Sequence, residues 1–354
     1  MKNNWQTKKF EGCIDDVAYT TKIQRKNFLN DGEYPVVSQE EDLINGYWDK
    51  ASDLFRINRP VIIFGDHTKV LKYVDFDFVL GADGVKILRP KEFLVPRFFY
   101  YQLQSVHLDS LGYARHYKLL KELEIKYPEI SEQQRIVNIL DKIFEKISKA
   151  KENAEKNLQN ARELFNSYLQ SVFANPVDGW EQKKLGEIIK LEYGKPLPDS
   201  KRQSNGMYPV YGANGEKDRT NEFYYDKYSI IVGRKGSAGE ITLTEEKFWP
   251  LDVTYFVTYD QKKHYLNFIY YLLINLKLPK LAKGVKPGIN RNEVHSVDVH
   301  IPLLSEQKRI VTKLDALSTE TKKLEATYQQ KLVDLEELKK SILQKAFNGE
   351  LVGV

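Results

Sequence analysis

At 354 residues, with 42% of its side chains hydrophobic, the chain has material for two ordinary domains with buried cores, which excludes a disordered protein. Its 54 lysines and arginines only slightly exceed its 49 aspartates and glutamates, so the net charge of +5 suits an anionic partner only where basic residues cluster. The single cysteine, Cys13, excludes an internal disulfide, Met1-Lys2-Asn3-Asn4-Trp5 lacks the apolar core of a signal peptide, and no stretch reaches the roughly 20 apolar residues of a membrane span, so a cytoplasmic location is expected.

Runs of β-branched and aromatic residues between polar turns predict strands at Pro60–Phe64, Val70–Val74 and Val85–Leu88. An aromatic-rich helix follows at about Val95–Gln104, which makes the domain α+β rather than a sandwich or barrel. From Ser131 apolar or small residues recur at Ile136, Leu140, Ile143, Ile147, Ala150, Ala154, Leu158, Ala161, Phe165, Tyr168 and Val172. These steps of four and three mark a coiled-coil seam, and a helix of about 42 residues would run roughly 60 Å. Ser131 with Gln134 has capping-box spacing, Pro128 holds the preceding chain extended, and Asn175-Pro176 ends the helix.

The second half repeats the first. Strands are expected at Ser229–Val232, Glu240–Leu243 and Thr254–Thr258, a helix at Tyr265–Asn275, and a second long helix after Pro302, from Ser305 to Asn348-Gly349. Ser131-Glu132-Gln133-Gln134-Arg135-Ile136-Val137 matches Ser305-Glu306-Gln307-Lys308-Arg309-Ile310-Val311 at an offset of 174, which also aligns Tyr34-Pro35-Val36 with Tyr208-Pro209-Val210. The same offset carries the seam to Ile310, Leu314, Leu317, Thr321, Leu324, Tyr328, Leu332, Leu335, Lys339, Ile342 and Ala346, where Lys339 interrupts it. Both seams take two successive four-residue steps at one place, through Ala154 to Leu158 and Tyr328 to Leu332, a matched stutter. Two tandem α+β domains, each followed by a long helix, are therefore expected, with the helices forming an antiparallel coiled coil; two independent amphipathic helices are the alternative.

No catalytic constellation emerges. His67, His107, His116, His264, His295 and His300 are scattered without metal-ligand spacing, and Gly233-Arg-Lys-Gly-Ser-Ala-Gly239 lacks the lysine and hydroxyl that close a phosphate loop. Asp109, Glu124 and Lys126 have the composition of a metal-dependent nuclease, but the offset puts Lys283, Asp298 and His300 in those columns, so one half would lack the site. A strand leading through Pro128 into the helix explains both halves.

Basic and amide residues instead gather with glycines in loops. The candidate DNA contacts are His67, Thr68 and Lys69 after Asp66; Arg115, His116 and Lys118 in Tyr113–Lys118; Asn214, Lys217 and Arg219; Arg234, Lys235 and Ser237; and Lys283, Lys286, Asn290 and Arg291. Lysines and glycine amides suit phosphate, while arginine and asparagine can read guanine and adenine edges in the major groove.

The Ile231–Gly239 and Gly284–Asn290 segments, the Ile301-Pro302-Leu303-Leu304-Ser305-Glu306-Gln307-Lys308-Arg309-Ile310 run and the ending Ala346-Phe347-Asn348-Gly349-Glu350-Leu351 resemble type I restriction-modification specificity subunits across essentially the whole chain. The first half departs from the pattern, with Asp66-His67-Thr68 where the second has Arg234-Lys235-Gly236. The resemblance implies target recognition domains at 1–130 and 176–304, and long spacer helices at 131–175 and at 305–354 with the C-terminal tail. Each domain would read one half of a bipartite, asymmetric DNA sequence, and the helices would fix the unread gap. It further implies a non-catalytic chain without a cofactor of its own. Two modification subunits would use S-adenosylmethionine to methylate adenine, and two restriction subunits would use ATP and Mg2+ to translocate and cleave. A standalone two-domain DNA-binding or scaffold protein is the alternative, and a metal-dependent nuclease the remote one.

Overall fold

The computed structural model describes residues 5–112 and 114–350, so Met1–Asn4, Tyr113 and Leu351 of the segments above lie outside the described residues. The chain divides into two compact units, residues 1–155 with 330–354 and residues 156–329. Both cuts fall at equivalent places in the repeat, beside the two stutters.

In the first unit strand β1 (Gln6–Lys9) pairs antiparallel with the later strand Glu124–Tyr127. A four-stranded sheet is ordered Ile14–Asp15, Val85–Pro90, Val61–Gly65, Leu71–Val74. The second unit repeats both arrangements. Glu181–Lys184 pairs antiparallel with Asp298–Ile301, and a four-stranded sheet is ordered Ile189–Tyr193, Thr254–Tyr259, Ser229–Gly233, Ile241–Thr244. The strands expected from β-branched runs thus sit at equivalent positions of equivalent sheets. Each unit adds a sheet of its own: five strands around Phe78–Gly81 in the first, three around Tyr208–Gly212 in the second.

Four helices hold the sheets in place: α1 (Pro96–Ser105), α2 (Ile130–Ala174), α3 (Leu266–Leu276) and α4 (Leu304–Phe347). In the first unit the start of α2 and the end of α4 run in opposite directions. Lys151 pairs with Glu336 at 2.8 Å, while Ile136, Val137 and Leu140 share a core with Leu343, Ala346 and Phe98 of α1. In the second unit the end of α2 and the start of α4 do the same. Arg162 pairs with Glu325 at 3.3 Å, and Leu169 shares a core with Ile310, Val311, Leu314 and Phe268 of α3.

All eleven seam positions of α2 are buried or half-buried. In α4 one departs: Leu324 is 41% exposed, and its neighbour Glu325 turns inward to Arg162. Lys339 keeps its place in the seam because its ammonium lies 5.5 Å from the centre of the Phe144 ring, where the π face accepts a cation.

The expected capping box is not what starts the long helices. Each begins one residue earlier, at Ile130 and Leu304, so Ser131 and Ser305 lie inside the first turn, and Gln134 bonds to Asn138 at 3.1 Å. The glutamine just before Gln134 does the joining. Gln133 is fully buried; its Oε1 accepts the Val95 amide at 2.8 Å, and its Nε2 donates to the Phe93 and Pro128 carbonyls, each at 2.9 Å. Gln307 repeats the pattern with the Tyr265 amide at 2.9 Å and the carbonyls of Lys263 at 3.2 Å and Pro302 at 2.9 Å. Val95 and Tyr265 precede the first residues of α1 and α3, where a helix cannot satisfy its own amides.

Leu140 and Leu314 occupy the same seam position and are both fully buried. Truncating either to alanine should cost about 2–5 kcal/mol of stability, since lost burial and a residual cavity add. Urea unfolding followed by tryptophan fluorescence checks this, with Leu140→Ala expected to weaken the first unit and Leu314→Ala the second.

Candidate nucleic-acid interface

In the second unit the two glycine segments join into one surface. Strand Ser229–Gly233 ends at a glycine where any Cβ would fall 2.1 Å from the Ser237 carbonyl oxygen and 2.5 Å from that of Ala213. The chain can therefore fold back tightly, and Gly239, at φ +87°, completes the turn against Pro279. Backbone bonds then tie this loop to the next: the Gly236 amide donates to the Pro287 carbonyl at 2.9 Å, and the Ile289 amide to the Arg234 carbonyl at 3.1 Å. Lys283 and Gly288 bond each other in both directions, at 3.0 and 3.1 Å, and the Asn290 side chain accepts the Asn292 amide at 2.8 Å to cap the short helix Arg291–His295.

Arg234 and Arg291, far apart in sequence, meet at Tyr193. Their guanidinium carbons stand 5.2 and 4.8 Å from the centre of its ring, which also packs on Tyr255 at 5.1 Å. The other arginines of this unit, Arg162, Arg202, Arg219 and Arg309, each have a carboxylate partner. Among the described residues Arg234 and Arg291 have none, so their charge is held on an aromatic face and left uncompensated. Two planar, pre-oriented forks without counter-charges can bind an anion or a base edge.

The first unit carries a tyrosine at the same offset. Tyr19 is 43% exposed and Tyr193 46%, and the Lys22 ammonium lies 4.7 Å from the centre of the Tyr19 ring. Sequence reasoning missed both tyrosines, because neither stands in a basic or glycine-rich run.

The other expected contacts divide by what they touch. Lys235, Lys286, Asn214 and Lys217 are exposed, and Ser237 is half-buried in the same loop as Arg234. Lys283 is exposed but paired with Glu293 at 2.6 Å. Asn290 spends its side-chain oxygen on the helix cap. Arg219 is committed to the fold, donating to the Gly206 and Met207 carbonyls at 2.8 and 2.9 Å and pairing with Glu216 and Glu246. In the first unit Arg115, Lys118 and Thr68 are exposed, the last bonding the Gln39 carbonyl at 2.6 Å. Half-buried His67 donates its backbone amide to the Gln39 side-chain oxygen, and Lys69 reaches the Leu108 carbonyl, each at 3.3 Å.

His116 cannot present its ring to a ligand, being 1% exposed. Its Nε2 accepts the Leu111 amide at 3.0 Å, so Nδ1 carries the proton and donates to the Asp66 carbonyl at 3.0 Å. The buried Asp66 carboxylate in turn accepts the Tyr117 amide at 2.7 Å. Asp66 and His116 thus bring the first unit's two basic loops together, the task that backbone bonds perform in the second.

Among the described residues no three His, Cys, Asp or Glu side chains converge, and no helix is long and apolar enough to cross a membrane. Exposed Asp109 faces His107 at 3.6 Å, and Glu124 and Lys126 alternate on the outer side of their strand.

The family model of the type I restriction modification DNA specificity domain matches the chain twice, at residues 3–157 and 177–333. The chain belongs to that family. Among curated relatives, the Escherichia coli type I restriction enzyme EcoDI specificity subunit is 30% identical over 179 residues, 50% of this chain and 39% of that protein. The Escherichia coli EcoR124I/EcoR124II specificity subunit is 25% identical over 343 residues, covering 84% of this chain and 83% of that one. The chain spans half or less of the length of several such relatives. A chain from a solved type I R-M system, described for its complex assembly and conformational transition, shares the fold at a TM-score of 0.77 with 18% identity over 99% of both chains.

His295, about one turn after Arg291 on the short helix, links this surface to pH. Its Nε2 accepts the Leu191 amide at 3.1 Å on the strand that ends in Tyr193, which requires a neutral ring. Burial pushes the imidazole below its ordinary value, and Lys190 and Arg291 add to the effect. A lowered folded-state value means the unfolded chain takes up the proton first, so stability present near pH 7 should fall as pH drops below about 6.5. Thermal melts between pH 7.5 and 5.5 should show the fall, and His295→Gln, which can still accept the amide bond, should flatten part of it.

Proposed function

We propose that this chain is the DNA-reading, non-catalytic specificity subunit of a type I restriction-modification complex. Family membership across both halves supports the class, and the observation that carries DNA reading is the pair of uncompensated guanidiniums on Tyr193. Each domain reads one half of a bipartite, asymmetric target, with Arg234 and Arg291 at base edges of the second half-site and Lys235 and Lys286 at phosphates beside them. In the first domain Arg115, Lys118 and Thr68 take this role next to Tyr19 and Lys22. The paired long helices act as a ruler for the unread gap. Two modification subunits using S-adenosylmethionine dock on them, and two restriction subunits using ATP and Mg2+ complete the complex. The chain itself needs no cofactor and works in the cytoplasm.

Methylation sequencing of the host genome with and without the gene tests this reading. Methyladenine in a two-part motif with a fixed gap should vanish on deletion, and an unchanged methylome would sink the proposal. Copurification should recover a methyltransferase at about two copies per chain, whereas a standalone DNA-binding protein would come down without one. Arg234→Ala or Arg291→Ala should cost about 1–3 kcal/mol at cognate DNA and relax the second half-site if the contact is to a base; equal weakening on all sequences would assign it to phosphate.

A further inference from the structure

We propose that Gln133 with Asp141, and Gln307 with Asp315, are positioning residues that lock each recognition domain onto its long helix at one angle and so set how strictly one gap length is distinguished from the next. This rests on the bipartite reading above and goes beyond it.

The glutamines are the first point of attachment, each holding the start of the domain helix and the chain ahead of the long helix through three hydrogen bonds. The donor and acceptor pattern admits one amide orientation, since the two carbonyls need the NH2 group and the backbone N–H needs the oxygen. The aspartates are the second point. Asp141 accepts the Tyr101 hydroxyl and the Arg97 Nε, the latter at 2.9 Å, and Asp315 accepts the Tyr271 hydroxyl at 2.6 Å. Burial, and the facing carboxylate after it, raise both phenols above their ordinary value, so each keeps the proton it donates.

The recurrence of this geometry is informative because the sequence between its parts has slipped. Gln133 and Asp141 meet Gln307 and Asp315 at the offset of 174, whereas Val95 and Tyr101 meet Tyr265 and Tyr271 at 170. The domains differ in length ahead of the latch, yet both tyrosines stand sixth in their helices and both glutamines hold the residue just before the helix. The loops diverged and the attachment did not.

A single hydrogen-bonded contact would leave a pivot. Eight residues of α-helix separate the two points on each long helix, about 12 Å at 1.5 Å per residue. Slack of ~1 Å at one end of such a lever tilts the domain by roughly 5°, which over a domain ~30 Å across moves its far edge by about 3 Å. That is close to the 3.4 Å step of one base pair. Loosening a latch therefore blurs the gap by about one position without altering the loops that touch bases.

The two latches are unequal. In the second unit the position one residue into the helix is Asn267 where the first has Arg97, so Asp315 has Tyr271 without a guanidinium beside it. Tyr271→Phe should loosen its domain more than Tyr101→Phe, which leaves the Arg97–Asp141 bond in place.

The test uses the full chain assembled with its modification subunits and duplexes carrying the methylome-defined half-sites at the native gap, at one base pair more or less, or singly. Tyr271→Phe and Gln307→Leu should reduce the preference for the native gap by about tenfold, the worth of a hydrogen bond to a charged acceptor, with single half-site affinity held within about twofold. Tyr101→Phe should have a smaller effect. If Gln307→Leu fails to fold, Tyr271→Phe, which loses one oxygen and keeps its ring in the core, still decides the matter. Unchanged gap preference in Tyr271→Phe overturns the latch, and so does parallel loss of half-site affinity, which would make the residue merely structural. Failure of the unaltered complex to prefer any gap would overturn the bipartite reading itself.

Discussion

A helix of 44 or 45 residues with an apolar stripe has nothing of its own against which to bury it. That need organises both units. Each covers the stripe from two sides, with the antiparallel half of the other long helix and with one aromatic helix of its domain, so that Phe98 and Leu343, or Phe268 and Leu314, belong to one continuous core. Domain and stalk are therefore not separable bodies joined by a linker. The sheets, and through them the basic loops, are referred back to the long helices by direct packing.

Such an arrangement separates what may vary from what may not. The four-stranded sheets agree in strand order, the glutamine attachments agree bond for bond, and both aspartates accept the hydroxyl of the sixth residue of the domain helix, while the added sheets and exposed loops differ between the units. Even the joining of the loops is solved twice, by the buried Asp66 and His116 pair in one unit and by bonds between the Arg234 and Gly288 segments in the other. A surface that bears little of the load can change freely without loosening the fold beneath it.

The repeat, the long helices and most strands were legible in the sequence because they rest on periodicity and short-range propensity, which local order expresses directly. The site was legible only in part. Glycine and basic residues marked the right loops, but composition could not separate Arg234, whose guanidinium lacks a counter-charge, from Arg219, which is consumed by two carbonyls and two carboxylates. Nor could it show that His116 faces inward or that Tyr193 gathers two distant arginines, since both depend on contacts across the fold. In the Ser-Glu-Gln motif the serine and its spacing carry the sequence signal, whereas the buried glutamine does the joining, reaching 38 residues back to Val95, or 42 to Tyr265.

The division of the chain also dictates an order of assembly. The main core of the second unit is drawn from residues between Phe165 and Leu314, so it can close once that stretch has left the ribosome. The first unit cannot: Leu343 and Ala346 belong to its core beside Leu140, and they are made about 200 residues later. At about 5–20 residues per second on the ribosome, the first domain made waits on the order of 10 s or more with one side of its core open. The part of the protein that begins first is thus the part that finishes last, and its open seam is where a nascent chain of this design is most exposed to a wrong partner.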